Sequence, residues 1–276
     1  MYTRMDAANP ILVQWKKEQK VFEKNLALLR QKLNKEAIHD LRVAIKKLRA
    51  YFEFYLLLKK TEDLASGSLD GSLHSTEELF TTTGRQRDVE ICLEIITEFK
   101  KSPPISINQF SLYLQTILKI TKAWTNQEIH RYKNKELKKI AFLLKQEPEF
   151  NNSIELEQII KSAIDEKVEK ISTHFKKPHL LRKNLKSVYY WLNLINQSEK
   201  YQPPLLHNIL DDLGSWQDHD VLLVRMKHFR KDYLPKSFDE HTVLKELEKN
   251  IQERKSSLLR SAINKTRKWL KSITIA

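Results

Sequence analysis

The sequence predicts an all-α fold, and three observations carry that prediction. Glycine supplies only 4 of 276 residues, against roughly 7% in an average protein, so special turns must be scarce. The eight prolines fall between stretches of helical periodicity rather than inside them. Leu, Ile, Lys, Glu and Gln outweigh Val and Thr, the balance of long helices rather than strands.

Eight helices follow in order, at 11–34, 36–60, 75–101, 106–146, 153–176, 179–199, 205–232 and 239–273. Pro10 precedes the first. The second has a packing stripe of Ile38, Leu41, Ile45, Leu48, Phe52 and Leu56 at helical spacing. "ASGSLDGSLHS" at 65–75 is expected to be a mobile surface loop leading to the third. Pro103–Pro104 separate the third from the fourth, and Pro148 separates the fourth from the fifth. Pro178 opens the sixth, whose stripe is Leu181, Leu185, Val188 and Leu192. Pro203–Pro204 and Pro235 bracket the seventh. The eighth has the stripe Leu244, Leu247, Ile251, Leu258 and Ala262, interrupted by Lys255.

Apolar residues are 41% of the chain and charged residues 30%, a soluble and globular balance. No run reaches the ~18 apolar residues of a membrane span, and "MYTRMDAANP" lacks the apolar core of a secretory signal. Membrane insertion is therefore not expected, and the location expected is the cytoplasm. The single cysteine, Cys92, lies in the apolar run "VEICLEII" and reads as a small buried hydrophobe. The net charge of +14 is spread evenly over both halves, a field that favours polyanions such as nucleic acid, anionic membrane or polyphosphate.

Enzyme signatures are missing. There is no phosphate-cradling glycine loop, no G-x-S-x-G and no H-E-x-x-H. None of the nine histidines has another at i+3 or i+4, and arginines flank His39 and His179, which disfavours a dication there. No catalytic residue, metal or cofactor is expected.

What the sequence does contain is a repeat. "HDLRVAIKKL" from His39 and "HLLRKNLKSV" from His179 share H-x-L-R-x-x-[IL]-K-x-[LV]. "TGRQRDVEICLEIITEF" around Gly84 then matches "LGSWQDHDVLLVRMKHF" around Gly214, with Asp88 opposite Asp218 and Glu90 opposite Asp220. The chain thus reads as one domain, 1–276, built from two four-helix repeats, 1–148 and 149–276.

At ~100° per residue, His39, Arg42, Lys46 and Arg49 share an arc of about 80°. His179, Arg182 and Lys186 share a face in the second copy, with Lys183 nearby. Like charges so close repel, so neighbouring carboxylates or an anionic ligand must compensate. Asp88 and Asp218 are the expected carboxylates. Lys47, about 100° from Lys46 around the helix, is expected to face water. For Lys255 two readings stand: snorkelling to the surface, or pointing into an anion-lined channel. The two glycines inside helical runs suggest a close helix crossing or a kink.

These residues resemble a known family. "HDLRVAIKKLRAYFEFY" and "HLLRKNLKSVYYWLNLI", each followed by a glycine and an acidic "RDVE" or "QDHDV", are similar to the conserved-histidine α-helical domain, CHAD. The resemblance implies two four-helix bundles related by a pseudo-twofold axis. It also implies a basic central pore that binds inorganic polyphosphate without catalysis, in cytoplasmic proteins associated with polyphosphate granules. His39, Arg42, Lys46 and Arg49 match the first motif's basic positions, and His179, Arg182 and Lys186 the second's. Lys183 and Lys255 join them as candidates from the bottom-up reading. Ser187, Tyr189 and Gln217 stand where the first copy has Lys47, Arg49 and Arg87, which suggests a weaker grip in the second half. A triphosphate-processing CYTH partner, found beside this family, would be a separate chain. The alternative is a helical nucleic-acid binder using the same cations; a metal-binding or phosphohistidine protein is a more distant one.

Overall fold

Asn9 starts the first helix by a local rule. Its side-chain oxygen accepts hydrogen bonds from the backbone N–H of Ile11 at 3.0 Å and Leu12 at 3.1 Å, and Pro10 fills the first helical position, where its missing N–H costs nothing. The computed structural model describes residues 9–59, 72–99, 106–146, 153–195 and 198–274. Among these it has nine α-helices and no strand. They are α1 (Pro10–Gln31), α2 (Lys35–Lys59), α3 (His74–Phe99), α4 (Asn108–Arg131), α5 (Lys135–Gln146), α6 (Ser153–Ile171), α7 (Pro178–Trp191), α8 (Pro203–Asp232) and α9 (Asp239–Thr274). Most of the expected mobile loop, 65–71, and the expected helix ends at 60 and 100–101 lie outside the described residues.

The expected helix 106–146 is two helices. The chain extends at Tyr132 (φ −62°, ψ 132°) with neither Gly nor Pro to break it. Tertiary bonds do so instead. Arg30 donates from Nη2 to the Tyr132 carbonyl at 2.8 Å, the Tyr132 hydroxyl meets Thr76 Oγ1 at 3.0 Å, and Asn134 donates to Glu23. The expected sixth helix also ends early, passing into a 3₁₀ turn at Leu192–Leu194.

Two helix N-termini are capped by carboxylates from other helices. Glu136 of α5 accepts from the Ser75 and Thr76 N–H groups of α3, at 2.9 and 3.0 Å. Glu240 of α9 accepts from the Gln109 and Phe110 N–H groups of α4, at 3.0 and 2.8 Å. A negative charge there satisfies otherwise orphaned donors and meets the positive end of the helix dipole.

Helices pack as sequence neighbours: α1 along α2, α3 along α4, α6 along α7, α8 along α9. The first five helices meet the last four where α2 packs on α7 and α3 on α8. Trp191 of α7 anchors the first junction, donating from its indole to the Ala50 carbonyl at 2.8 Å while its ring meets Phe54 edge-on.

The apolar core forms two clusters, each drawing on both halves of the chain. The larger includes Trp15, Leu41, Leu48, Leu79, Leu185, Leu213 and Trp269. The smaller includes Val89, Cys92, Phe110, Leu114, Leu222, Met226, Leu244 and Ile251. Along α3, α8 and α9 the apolar stripe therefore breaks in mid-helix and resumes. Thr83, Gln86 and Asp88 interrupt it on α3, Gln217 and Asp218 on α8, and Lys255 on α9. These interruptions form a polar layer between the clusters.

Candidate functional site

The polar layer collects the cations of the two basic helices. Where α2 crosses α7, Lys46 feels the positive charges of Arg42 on its own helix and Arg182 on α7. Lys186 in turn feels Lys46, Arg182 and Arg42. Burial, then these neighbours, lower the Lys46 ammonium to about 8 and the Lys186 ammonium to about 6. Burial, then Arg87 and Arg49, bring the Arg42 guanidinium down to about 10, and burial lowers that of Arg182 against the pull of Asp218. A lysine pushed that low sits in a site that disfavours one more positive charge.

Two carboxylates oppose the cations. Asp88 of α3 is drawn to Arg42, Arg225, Lys46 and Arg87, and Asp218 of α8 to Arg182 and Arg87. Two of these attractions cross the α3–α8 junction: Arg87 acts on Asp218, and Arg225 on Asp88. Burial nevertheless raises both carboxyls above their ordinary value. Five cations (Arg42, Lys46, Arg87, Arg182 and Arg225), with the depressed Lys186 beside them, thus face Asp88, Asp218 and Glu94, the last 3.6 Å from Arg87, an excess that favours an anion.

Arg42 is more firmly held than its spacing suggests. Its guanidinium lies 4.1 Å over the Phe80 ring and donates to the Phe80 carbonyl and, at 3.4 Å, to Thr83 Oγ1. It also lies where a side chain at Gly84 would be, for a Cβ there would fall 2.6 Å from Arg42 Nη1. Gly84 is therefore present for close approach by an arginine of the neighbouring helix, a form of the close crossing expected.

The remaining candidates surround this centre or leave it. His39 and His179 are exposed; burial and then Arg87 lower the His39 imidazolium, favouring neutral imidazole. The His179 ring meets Trp216 edge-on at 4.7 Å. Lys183 is exposed. Arg49 pairs with Glu77 at 2.8 Å and lies over Phe80. Lys255 is held against the protein, its side chain 18% exposed, rather than extended into solvent. It pairs with Asp220 at 2.5 Å, 5.8 Å from the Trp216 ring. Lys47 overturns its expectation: it turns to α1 and meets the buried Glu18 carboxylate at 2.8 Å. A carboxylate on a neighbouring helix decides its direction.

The motif reading missed Arg225 and gave Arg87 only as a contrast to Gln217. Arg225 carried a signal, since it is a charge inside the apolar run "DVLLVRMKHF", seven residues and therefore two turns from Asp218. Cys92 is fully buried, its thiol pushed up to about 12 chiefly by burial. Among the described residues no group of three His, Cys, Asp or Glu could hold a metal ion, and no helix is long and apolar enough to cross a membrane.

Comparisons with known proteins identify the family and the fold. The CHAD domain family model matches residues 14–227. The structure is similar to that of the CHAD domain from the plant Ricinus communis, with a TM-score of 0.70 and 14% identity, over 97% of this chain and 94% of that one. No curated protein matches the chain. With a family model spanning both basic helices and most of the chain, the chain belongs to the CHAD domain family.

Proposed function

We propose that this protein binds inorganic polyphosphate without catalysing its turnover, in a channel along the polar layer. One observation carries the reading: cations of both basic helices converge between the apolar clusters, with too few carboxylates to neutralise them. A flexible polyanion with an oxyanion on every unit suits such a row, because guanidinium forks and ammonium groups each take one phosphate. Arg182, Lys186 and Lys46 are its central ligands, with Arg42, Arg87 and Arg225 adding field and His39, Arg49, His179 and Lys183 at its ends. The division into repeats at 1–148 and 149–276, a cytoplasmic location and an association with polyphosphate granules belong to the same proposal.

Titration of long-chain polyphosphate into the wild type and an Arg182→Ala/Lys186→Ala variant, at two salt concentrations, tests it. The wild type should bind, weaken steeply with salt as counterions are released, and bind at least tenfold more tightly than the variant. Equal affinities would refute the site. Displacement of polyphosphate by duplex DNA or RNA at equal phosphate concentration would favour a nucleic-acid binder instead.

A further inference from the structure

Gly84 and Gly214 occupy matching places in the sequence but different surroundings in space. The Cβ position at Gly84 is filled by the Arg42 guanidinium, whereas that at Gly214 meets nothing within 4 Å among the described residues. Gly214 stands one helical turn before Asp218, so both lie on one face of α8. That face looks on the polar layer, since Asp218 is drawn to Arg182 and Arg87.

The two motif arginines differ in the same way. Arg42 is committed to its own half by the Phe80 ring, the Phe80 carbonyl and Thr83. Arg182 is half-buried, yet its buried Nε has no hydrogen-bond partner among the described residues, and the largest charge drawing it is Asp218. A buried guanidinium N–H without an acceptor is costly, and a phosphate oxygen would supply one.

We propose that the open α8 backbone at Gly214 seats one phosphate group of the bound polyanion, gripped by Arg182, while Arg42 is chiefly a strut between α2 and α3. This rests on the polyphosphate reading and adds an asymmetry to it. The second copy, with fewer basic residues in its motif, holds the closer contact. Glycine at 214 matters because a side chain there would occupy the space the phosphate takes.

Four chains test this: wild type, Gly214→Leu, Arg182→Gln and Arg42→Gln, each titrated with long-chain polyphosphate and melted without it. Gly214→Leu and Arg182→Gln should each lose about tenfold in affinity, the scale of one charge-assisted contact, at a Tm close to wild type. Arg42→Gln should lower Tm by several degrees and cost less affinity than Arg182→Gln. Wild-type affinity in Gly214→Leu, or a larger affinity loss in Arg42→Gln than in Arg182→Gln, overturns the assignment while leaving polyphosphate binding intact. A wild type that does not bind polyphosphate overturns both.

Discussion

Lys47 Nζ lies 2.8 Å from the Oε1 of Glu18, a carboxylate only 3% exposed on the inner face of α1. Removing the ammonium would leave a buried anion unpaired, at a cost of about 3 kcal/mol. Lys47→Ala should therefore be strongly destabilised in urea titrations. Lys46→Ala, one residue away, relieves crowding among cations and should be neutral or slightly stabilising. Equal losses in the two variants would contradict the distinction between a structural and a binding lysine.

The two helical glycines should respond oppositely to alanine. Gly214→Ala replaces a poor helix former where space is open and should stabilise the fold by up to ~1 kcal/mol. Gly84→Ala gains the same propensity but drives Arg42 from its seat, with its contacts to Phe80 and Thr83. It should be net destabilised by about 1 kcal/mol or more. Thermal melts of both variants decide this.

Lys186 makes stability depend on pH. Its folded-state value is about 6 against 10.5 for an ordinary lysine, so between those values the unfolded chain binds the extra proton. Its destabilising contribution is full below about pH 6 and fades as pH rises toward 10.5. Lys186→Met should therefore gain most in Tm over wild type at pH 5.5–6, with the gain shrinking by pH 9. A gain independent of pH would show that Lys186 is not depressed.

If a polyanion binds, the sign for affinity is the reverse of that for stability. A nearby phosphate raises the Lys186 value, so the complex takes up protons near neutral pH. Binding should be tightest below about pH 6 and weaken as pH rises. Calorimetric titrations at pH 7.5 in buffers of different ionisation enthalpy should show proton uptake in the wild type, reduced in Lys186→Met.

Glu136 ties α5 to the start of α3 through two backbone N–H groups and the Thr76 hydroxyl. Glu136→Gln keeps the shape but loses the charge and one acceptor oxygen. It should lose about 1–2 kcal/mol, measured by chemical denaturation.

Much of this fold can be read from local rules. Proline positions and 3.6-residue periodicity place most helix ends within a few residues, because each depends on chain segments near in sequence. The break at Tyr132 escapes such rules because Arg30, Glu23 and Thr76, distant in sequence, make it. The basic faces were legible for the same reason as the helices, since spacing alone aligns His39, Arg42, Lys46 and Arg49. Which of them is free was not. Arg42 and Arg182 have the same motif, but only the first has Phe80 beneath it and a glycine beside it. Lys47 and Lys255 were decided by Glu18 and Asp220, carboxylates on helices whose packing the pattern does not specify.

The two apolar clusters constrain how the molecule can be made. Ile11 and Trp269 share one cluster, and Val89 and Ile251 share the other. A chain leaving the ribosome cannot finish either until α9 has emerged, so early helices must wait with apolar faces uncovered. Folding should complete in one late step rather than half by half. Protease protection of stalled nascent chains should then rise only after α9 has cleared the exit tunnel.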